Sequence, residues 1–448
     1  MTTDELLDIG DRVVGWARDG EQVEAVVVHQ HETEIRVYEG EIESFTSADS
    51  HGVGIRVIVD NRQGIAHAGT LDDDVLGETL AEARDNAAFG TPDEFYGLAA
   101  PDGVPIPDLD LYDPAVEAFA TADKIDLALE LERAVRGGDS RIIGVESADY
   151  VDSIAAGAVV STMGIRHSGR DSGCYLAAYS LAADDDDTQT GFGYSVSRSP
   201  LELDAVQAAA DAVDRATRLL GAKKPRSERL TVVLDPYVTA QFLGIIGSTM
   251  SAESVLKGRS LFADRLGEEI GATCLTLVDD PTDPEAFTAT DTDGEGLAAM
   301  RNVLIDDGRL DRFLHNTYTA RRMGAVSTAS AVRGYSSTPG VGPHALSLVP
   351  GVRSQQELVA GVGEGMLIQG VTGLNSGVNI VSGDFSTGAE GLRIRGGELA
   401  EPVREATIAS TLQRMLLDVR EVGNDLERLP MHASGVSLVV ADITLSGE

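Results

Sequence analysis

"TVVLDPYVTAQFLGIIGSTM" (Thr231–Met250) decides how the second half of this chain is read. Thr231-Val232-Val233-Leu234 suits a buried strand, and Asp235-Pro236 breaks it. Proline is well placed at the first position of a helix, where its missing N–H has no intrahelical partner. A helix therefore follows, and it carries Phe242, Leu243, Ile245 and Ile246 with almost nothing reactive. Strand, tight turn and helix start form a common mount for catalytic groups, yet here the mount is apolar. Burial of each such side chain is worth about 1.5–3 kcal/mol. The helix is expected to pack.

Upstream, Asp4 to Arg18 places Leu6, Leu7, Ile9, Val13, Val14 and Trp16 at the spacing of an amphipathic helix behind a Thr/Asp cap. "EAVVVHQ", "TEIRVYEGEIESFTS" and "HGVGIRVIVDNRQGIAHAG" read as strands joined by polar or Gly-containing turns. A helix over 73–88 and a Pro/Gly/Asp-rich connection over 89–114 complete a first unit, residues 1–110. A second unit, 111–225, has helices near 121–136 and 203–220 around strands between 142 and 196, and ends in "GAKKPRSER". The third, 226–448, is strand-rich, with a last helix over 405–419 and "GVSLVVADITLSGE" as a closing strand pair. Interspersed helices with strands in hairpins and meanders predict an α+β fold rather than a doubly wound parallel sheet.

Charge bounds the function. The 448 residues hold 73 Asp and Glu against 35 Lys and Arg, a formal net charge of −38. The lysines are Lys124, Lys223, Lys224 and Lys257 alone. Such a surface repels phosphate backbones and anionic lipid, so neither nucleic acid nor membrane is an expected partner. Its self-repulsion is screened beyond about 3 Å in roughly 1 M salt, which points to a salt-rich cytoplasm. No run nears the roughly 20 apolar residues of a membrane span, and the acidic N-terminus does not resemble a signal peptide. The expected location is cytoplasmic. Cys174 and Cys274 lie far apart with no CxxC or CxxH spacing, so buried, inert thiols are expected.

Few constellations suggest chemistry. His29 and His31 share a strand face, but "HETEI" is not HExxH, and a solvated face is the better reading. Asp184 to Asp187 lack the alternation of a calcium loop and read as a hairpin tip. "GVGEG" (361–365) follows the capping box "SQQE" (354–357) and reads as the stop of a helix over 355–362. "SGDFSTGAEG" (382–391) reads as a turn between strands. No phosphate loop or GxSxG elbow is present.

Collinear stretches carry a resemblance: "RSLFADRLGEEIG", "TDTDGEGLAAMRNVLIDDGRLDRFLHNTYTARRMG", "GMLIQGVTGLNSGVNIVSGDFSTGAEGLRIRGGELAEPVREATI", "VREVGNDLE" and, upstream, "GVGIRVIVDNRQGIAHAG". They resemble the TldD/PmbA family, linked to zinc-dependent peptide cleavage. The resemblance implies two kinds of subunit. TldD-type chains carry HExxxH on the helix after the first C-terminal strand and a late cysteine. PmbA-type (TldE) chains lack both and pair with a TldD-type partner. The HExxxH position falls on 243–248, where the ligand positions are Leu243 and Ser248 and the general-base position is Gly244. Beyond Gly423-Asn424-Asp425-Leu426 no cysteine follows, only Met431 and His432. The likeness is to the PmbA type.

A proteolytic zinc site needs three protein ligands, an open water position and a base. The implied role is thus a non-catalytic subunit of a metalloprotease complex acting on unfolded peptides or small proteins. It has no cofactor, metal or catalytic residue of its own, and zinc is expected in the TldD-type partner. Asn375, Asn379, Gly383 and Asp384, in turn-rich segments, are candidate peptide contacts. The alternatives are a homodimeric peptide-binding or scaffold protein and, further off, an independent hydrolase using His315 or His432. The family's link to DNA gyrase would run through peptide processing, because direct DNA contact is disfavoured at this charge. From the charge, dialysis into low salt is expected to cost the protein its fold; an unchanged circular dichroism spectrum would count against a salt-adapted surface.

Overall fold

Strand β1 (Gln22–Tyr38) ties the first half of the chain together, because it pairs antiparallel with β2 (Glu41–Val59) on one edge and β4 (Ile142–Ser161) on the other. A computed structural model describes all residues 1–448. With β3 (Arg62–Ala68), β5 (Arg166–Asp184) and β6 (Asp187–Ser197), the sheet order is β3-β2-β1-β4-β5-β6. Strands from both sides of residue 110 thus share one sheet, and residues 90–114 link them without helix or strand. Asp60-Asn61 and Asp185 turn two of its hairpins with positive φ, a conformation that short polar side chains tolerate.

The helices cover one face of this sheet. The odd residues Val23, Ala25 and Val27 of β1 pack under α1 (Thr3–Gly15) and α2 (Asp73–Phe89). Ile35 and Val37 pack under α4 (Thr121–Gly138) and α5 (Ala205–Thr217), with the short α3 (Ala115–Ala118) alongside. At α1, Thr2 and Glu5 form a capping box: the Thr2 hydroxyl accepts from Glu5 N at 3.2 Å and the Glu5 carboxylate from Thr2 N at 2.7 Å.

The second half opens with β7 (Glu228–Leu234), α6 (Pro236–Thr249) and α7 (Ala252–Leu256). Short strands β8 (Leu277–Asp279), β9 (Asn302–Asp306), β10 (Arg309–Leu310) and β13 (Leu346–Leu348) make a small sheet. Between β10 and β13 lie α8 (Thr317–Met323) and the pair β11 (Ala331–Val332) and β12 (Gly340–Val341). Then come α9 (Gln355–Val362), β14 (Glu364–Thr372), α10 (Leu374–Gly377), β15 (Asp384–Arg395), β16 (Glu398–Thr411), α11 (Leu412–Leu417), β17 (Val419–Val422) and β18 (Leu438–Ser446). The large sheet runs β16-β15-β14-β7-β18-β17, and β16 also pairs with β18, so five strands close into a ring. The architecture is α+β, as the interspersed pattern predicts.

Three elements differ from the sequence reading. Residues 405–411 belong to strand β16 rather than to a helix over 405–419, and only 412–417 are helical. Glu405 (φ 52°) interrupts the alternation, so Val403, Ala406 and Ile408 all turn inward while the strand pairs with both β15 and β18. In "SGDFSTGAEG" the turn is confined to Ser382 and Gly383, and β15 begins at Asp384. The C-terminal segment is one strand with a kink at Asp442 (φ 57°), not a strand pair.

Buried charge joins the halves. On the face of β1 away from the helices, Glu24 accepts from Arg56 Nε (3.0 Å) and Nη2 (2.9 Å) and also pairs with Arg333. Arg56 Nη2 lies 3.5 Å from Glu295. All four side chains are at most 4% exposed. Burial alone would raise the Glu24 pKa, but the two guanidiniums outweigh it and hold it below the usual range. Nearby, a Cβ on Gly54 would lie 1.8 Å from the Tyr335 carbonyl oxygen, so only glycine lets the 333–335 strap lie across β2.

Two further buried carboxyls predict a pH dependence. Burial pushes Asp279 up to about 7, against the opposing effect of the N–H donors of His344 (2.8 Å) and Ala345 (2.7 Å). Burial and the neighbouring Glu295 raise Asp293 likewise. Both hold protons in the folded chain that the unfolded chain has released, so their contribution is lost as pH rises through about 7. His344, pushed down to about 4 by burial, acts in the opposite direction as pH falls below its unfolded value. Glu427 is also raised to about 7 and His315 is also lowered, so three carboxyls oppose two histidines, and the melting temperature at constant salt is expected to rise between about pH 8 and about pH 6. Asp279→Asn should flatten that rise; a wild-type profile that falls over the same interval would contradict the assignment.

Candidate functional site

The β7–α6 junction is built by local rules. Asp235 caps the helix, its Oδ1 accepting from Tyr237 N at 3.1 Å, and Pro236 takes the first helical position. Asp235 N donates to the Ile368 carbonyl at 2.9 Å, which locks the turn to β14. From there α6 enters a core of 40 buried residues that contains Phe242, Leu243 and Ile246. Phe242 meets Phe385 edge to face, with centroids 6.5 Å apart at 89°. Gly247 admits the side chains of Leu346 and Pro343.

The residues at the zinc-motif position separate. Leu243 is 1% exposed and sits in the core. Gly244 faces open space, with nothing within 4 Å of a Cβ built on it, and Ser248 is exposed. The Ser248 hydroxyl donates to the Ile245 carbonyl at 2.7 Å. A zinc ion does not fit this set: Leu243 and Gly244 offer no donor atom, and the one hydroxyl is turned onto its own helix. His432 lies in the neighbouring loop, its Nδ1 3.3 Å from the His344 carbonyl oxygen. His315 is a separate, buried residue whose pKa burial lowers. Nowhere do three or more His, Cys, Asp or Glu side chains assemble as a metal site.

Of the candidate peptide contacts, Asn379, Gly383 and Asp384 come together in one turn before β15. Asn379 Oδ1 accepts from Val381 N (2.9 Å) and Ser382 N (3.1 Å), and Asp384 Oδ2 accepts from Ser382 Oγ (2.7 Å). Gly383 has φ 85° and donates its N–H to the Asn379 carbonyl at 2.7 Å. These groups are engaged in shaping the turn. Asn375 stands apart, exposed on α10. His29 and His31 share a face, as their spacing implies, and both approach Asp49, at 3.1 and 3.8 Å.

A feature the sequence reading missed is a polar cavity of about 450 Å³ beside the same junction, between α5 and β6 on one side and the closed sheet on the other. Asp235, Asp425 and Glu427 line it, with Arg215, Gln369 and Tyr194. Glu427 accepts from the Tyr194 hydroxyl at 3.0 Å, and Arg215 lies 3.8 Å from Asp235. Burial and the nearby Asp235 push Glu427 up to about 7. These residues are scattered over more than 200 positions, and no sequence spacing announces them.

Fold and junction together define an α+β protein whose closed C-terminal sheet leads from β7 into an apolar helix that offers no metal-ligand set. Family models for PmbA/TldA metallopeptidase domain 1, central domain and C-terminal domain match residues 23–87, 115–220 and 227–447. The chain belongs to the PmbA/TldD metallopeptidase family. It is 26% identical to the metalloprotease PmbA of Escherichia coli O157:H7 over 412 residues, 91% of this chain and 88% of the relative. It is 27% identical to a metalloprotease of Methanothermobacter thermautotrophicus over 428 residues, 94% and 90% of the two chains. A Thermotoga maritima crystal structure, described as a candidate modulator of a DNA gyrase, superposes with a TM-score of 0.91 at 26% identity, covering 98% of this chain and 99% of that one. TldE from Thermococcus kodakarensis, 21% identical, shares the fold with a TM-score of 0.90 over 99% of each chain.

The different surroundings of the motif positions predict different mutational costs. Leu243→Ala should destabilise by about 2–5 kcal/mol, since the cavity sits in a packed core. Ser248→Ala should stay within about 0.5 kcal/mol. Denaturant melts of the two variants check this, and equal effects would contradict the burial pattern.

Proposed function

We propose that this chain is the PmbA/TldE-like, non-catalytic subunit of a zinc metalloprotease complex that degrades or processes unfolded peptides and small proteins. One observation carries the reading: the helix position that would supply two zinc ligands and the base is occupied by Leu243, Gly244 and Ser248, with Leu243 built into the core. Zinc and the activated water then come from a TldD-type partner. This chain would contribute walls to the reaction chamber and contacts to an extended peptide. Asn375 is the candidate contact whose side chain stays exposed outside the turn network. The acidic surface argues against nucleic acid as a direct ligand.

A second reading, a self-associating peptide-binding or scaffold protein, is favoured by the β2 edge. Residues 41–52 of β2 pair with β1 alone, leaving an open edge that carries exposed Ile42 and Phe45.

Purified alone, the chain is expected to hold no stoichiometric zinc and to leave unfolded peptides intact. Mixed with a family member that bears HExxxH, it should co-elute and support cleavage that neither chain achieves separately. Zinc bound to the isolated chain at α6, or turnover by the metal-stripped chain, would overturn the proposal.

A further inference from the structure

The cavity beside the β7–α6 junction has a donor and acceptor inventory that the protein itself leaves incomplete. Five carboxyls and three arginines line it, so negative charge is in excess. Asp211 and Asp214 are held on α5 by Gln207 and Arg218, whereas Asp235 and Asp425 both add to the charge that Glu427 must bear. Gln369 is 7% exposed, and its Oε1 accepts no hydrogen bond. On the same wall the Arg215 guanidinium lies over the Phe192 ring, 4.2 Å from its centroid, and its Nη1 donates to nothing. An unpaired buried polar group costs about 1–3 kcal/mol. The cavity therefore pairs surplus acceptors, mostly anionic, with two orphaned guanidinium donors, Arg215 Nη1 and Arg428 Nε.

The ligand class follows from that inventory. A bare anion would meet five carboxyls against three arginines, an unfavourable net field. A metal ion finds no suitable cluster of three ligands here. A lone ammonium would satisfy the carboxyls and the Gln369 oxygen but leave the Arg215 donor unused. A group carrying an ammonium and, two bonds further along the chain, a carbonyl group uses both. That is the amino terminus of a peptide, and the volume suits a few residues of it.

We propose that this cavity binds the free amino terminus of a peptide, its ammonium among Asp235, Asp425, Glu427 and the Gln369 oxygen, and its first carbonyl facing Arg215. The cavity lies where α5 and β6 meet the closed sheet, so an occupant would bridge the two parts of the chain. The choice of a peptide over other amine ligands rests on the reading of the chain as a peptidase-complex subunit. Binding is measured on the chain alone, so an unproductive partner assay would leave it untouched, and absent binding would leave the assembly standing.

Isothermal titration calorimetry at about pH 8, in the salt that keeps the chain folded, decides the matter. Trialanine is expected to bind about 10–100-fold more tightly than N-acetyl-trialanine, the loss expected for one charge-assisted hydrogen-bonded group. Its C-terminal amide should bind as the free acid does. Glu427→Gln, isosteric and only partly buried, should weaken trialanine by at least about tenfold while circular dichroism stays unchanged. Arg215→Gln should weaken trialanine without weakening methylammonium, which has no carbonyl and gains from the loss of a cation 3.8 Å from Asp235. Equal binding of the acetylated peptide, loss on amidation of the carboxyl end, or no binding by the folded wild type would overturn the proposal.

Discussion

The second half of the molecule depends on the burial of β7 on both of its faces. Val232 and Leu234 point into the core shared with α6, while Val233 points into a smaller cluster with Leu358 and Val359 of α9. A strand sandwiched in this way needs apolar residues on both sides, which is why "TVVL" reads as a continuous run rather than an alternation. Because β14 pairs parallel and β18 antiparallel to it, the same strand also sets the register of the ring. The helix that leaves it has no freedom to be polar where it faces inward. An ionisable ligand at Leu243 would have to be desolvated in a core of 40 buried residues, at a cost of several kcal/mol unless a metal paid it back.

The legible parts of the sequence are those whose cause is local. The Asp-Pro entry to α6, the Ser354–Glu357 capping box of α9 and the Asp-rich hairpin tip each declare themselves within four residues. β16 does not. Ala406, Ala409, Leu412, Leu416 and Val419 recur at three- and four-residue intervals and imitate a helix. What overrides that pattern is pairing with β15 and β18, far away in sequence, and an irregularity at Glu405 that shifts which residues turn inward. Strand preference is set by such neighbours more than by the segment itself. The apolar character of α6 could be read from letters alone, whereas the cavity at Asp235 could not, because its lining is assembled only once α5 meets the ring.

The same distinction applies to charge. The net balance of −38 is visible in composition, and most of the ion pairs it permits are exposed and contribute little once salt screens them. The group around Glu24 is different. Two arginines and two glutamates cancel in a dry environment and draw on β1, β2 and two loops of the C-terminal half. Removing one member would strand its partners, which makes the cluster a fixed joint between the halves. "GVGIRV" carries one of the four members of that joint, Arg56, and, in Gly54, the space that brings Arg333 across the strand.

Gly244 bears on why the platform persists without ligands. A glycine within a helix costs about 0.8–1 kcal/mol relative to alanine, and here no neighbour would collide with a side chain. Packing within this chain therefore does not explain it. Gly244 and Ser248, exposed one turn apart beside the half-buried Gln241 and Ile245, instead form a low-profile strip of α6 outside the core. In the assembly proposed for this chain, such a strip lets another backbone or a second subunit come close to the helix axis, which a larger residue at 244 would prevent. The inner face of α6 would then serve the stability of this chain, and its outer face the geometry of the complex.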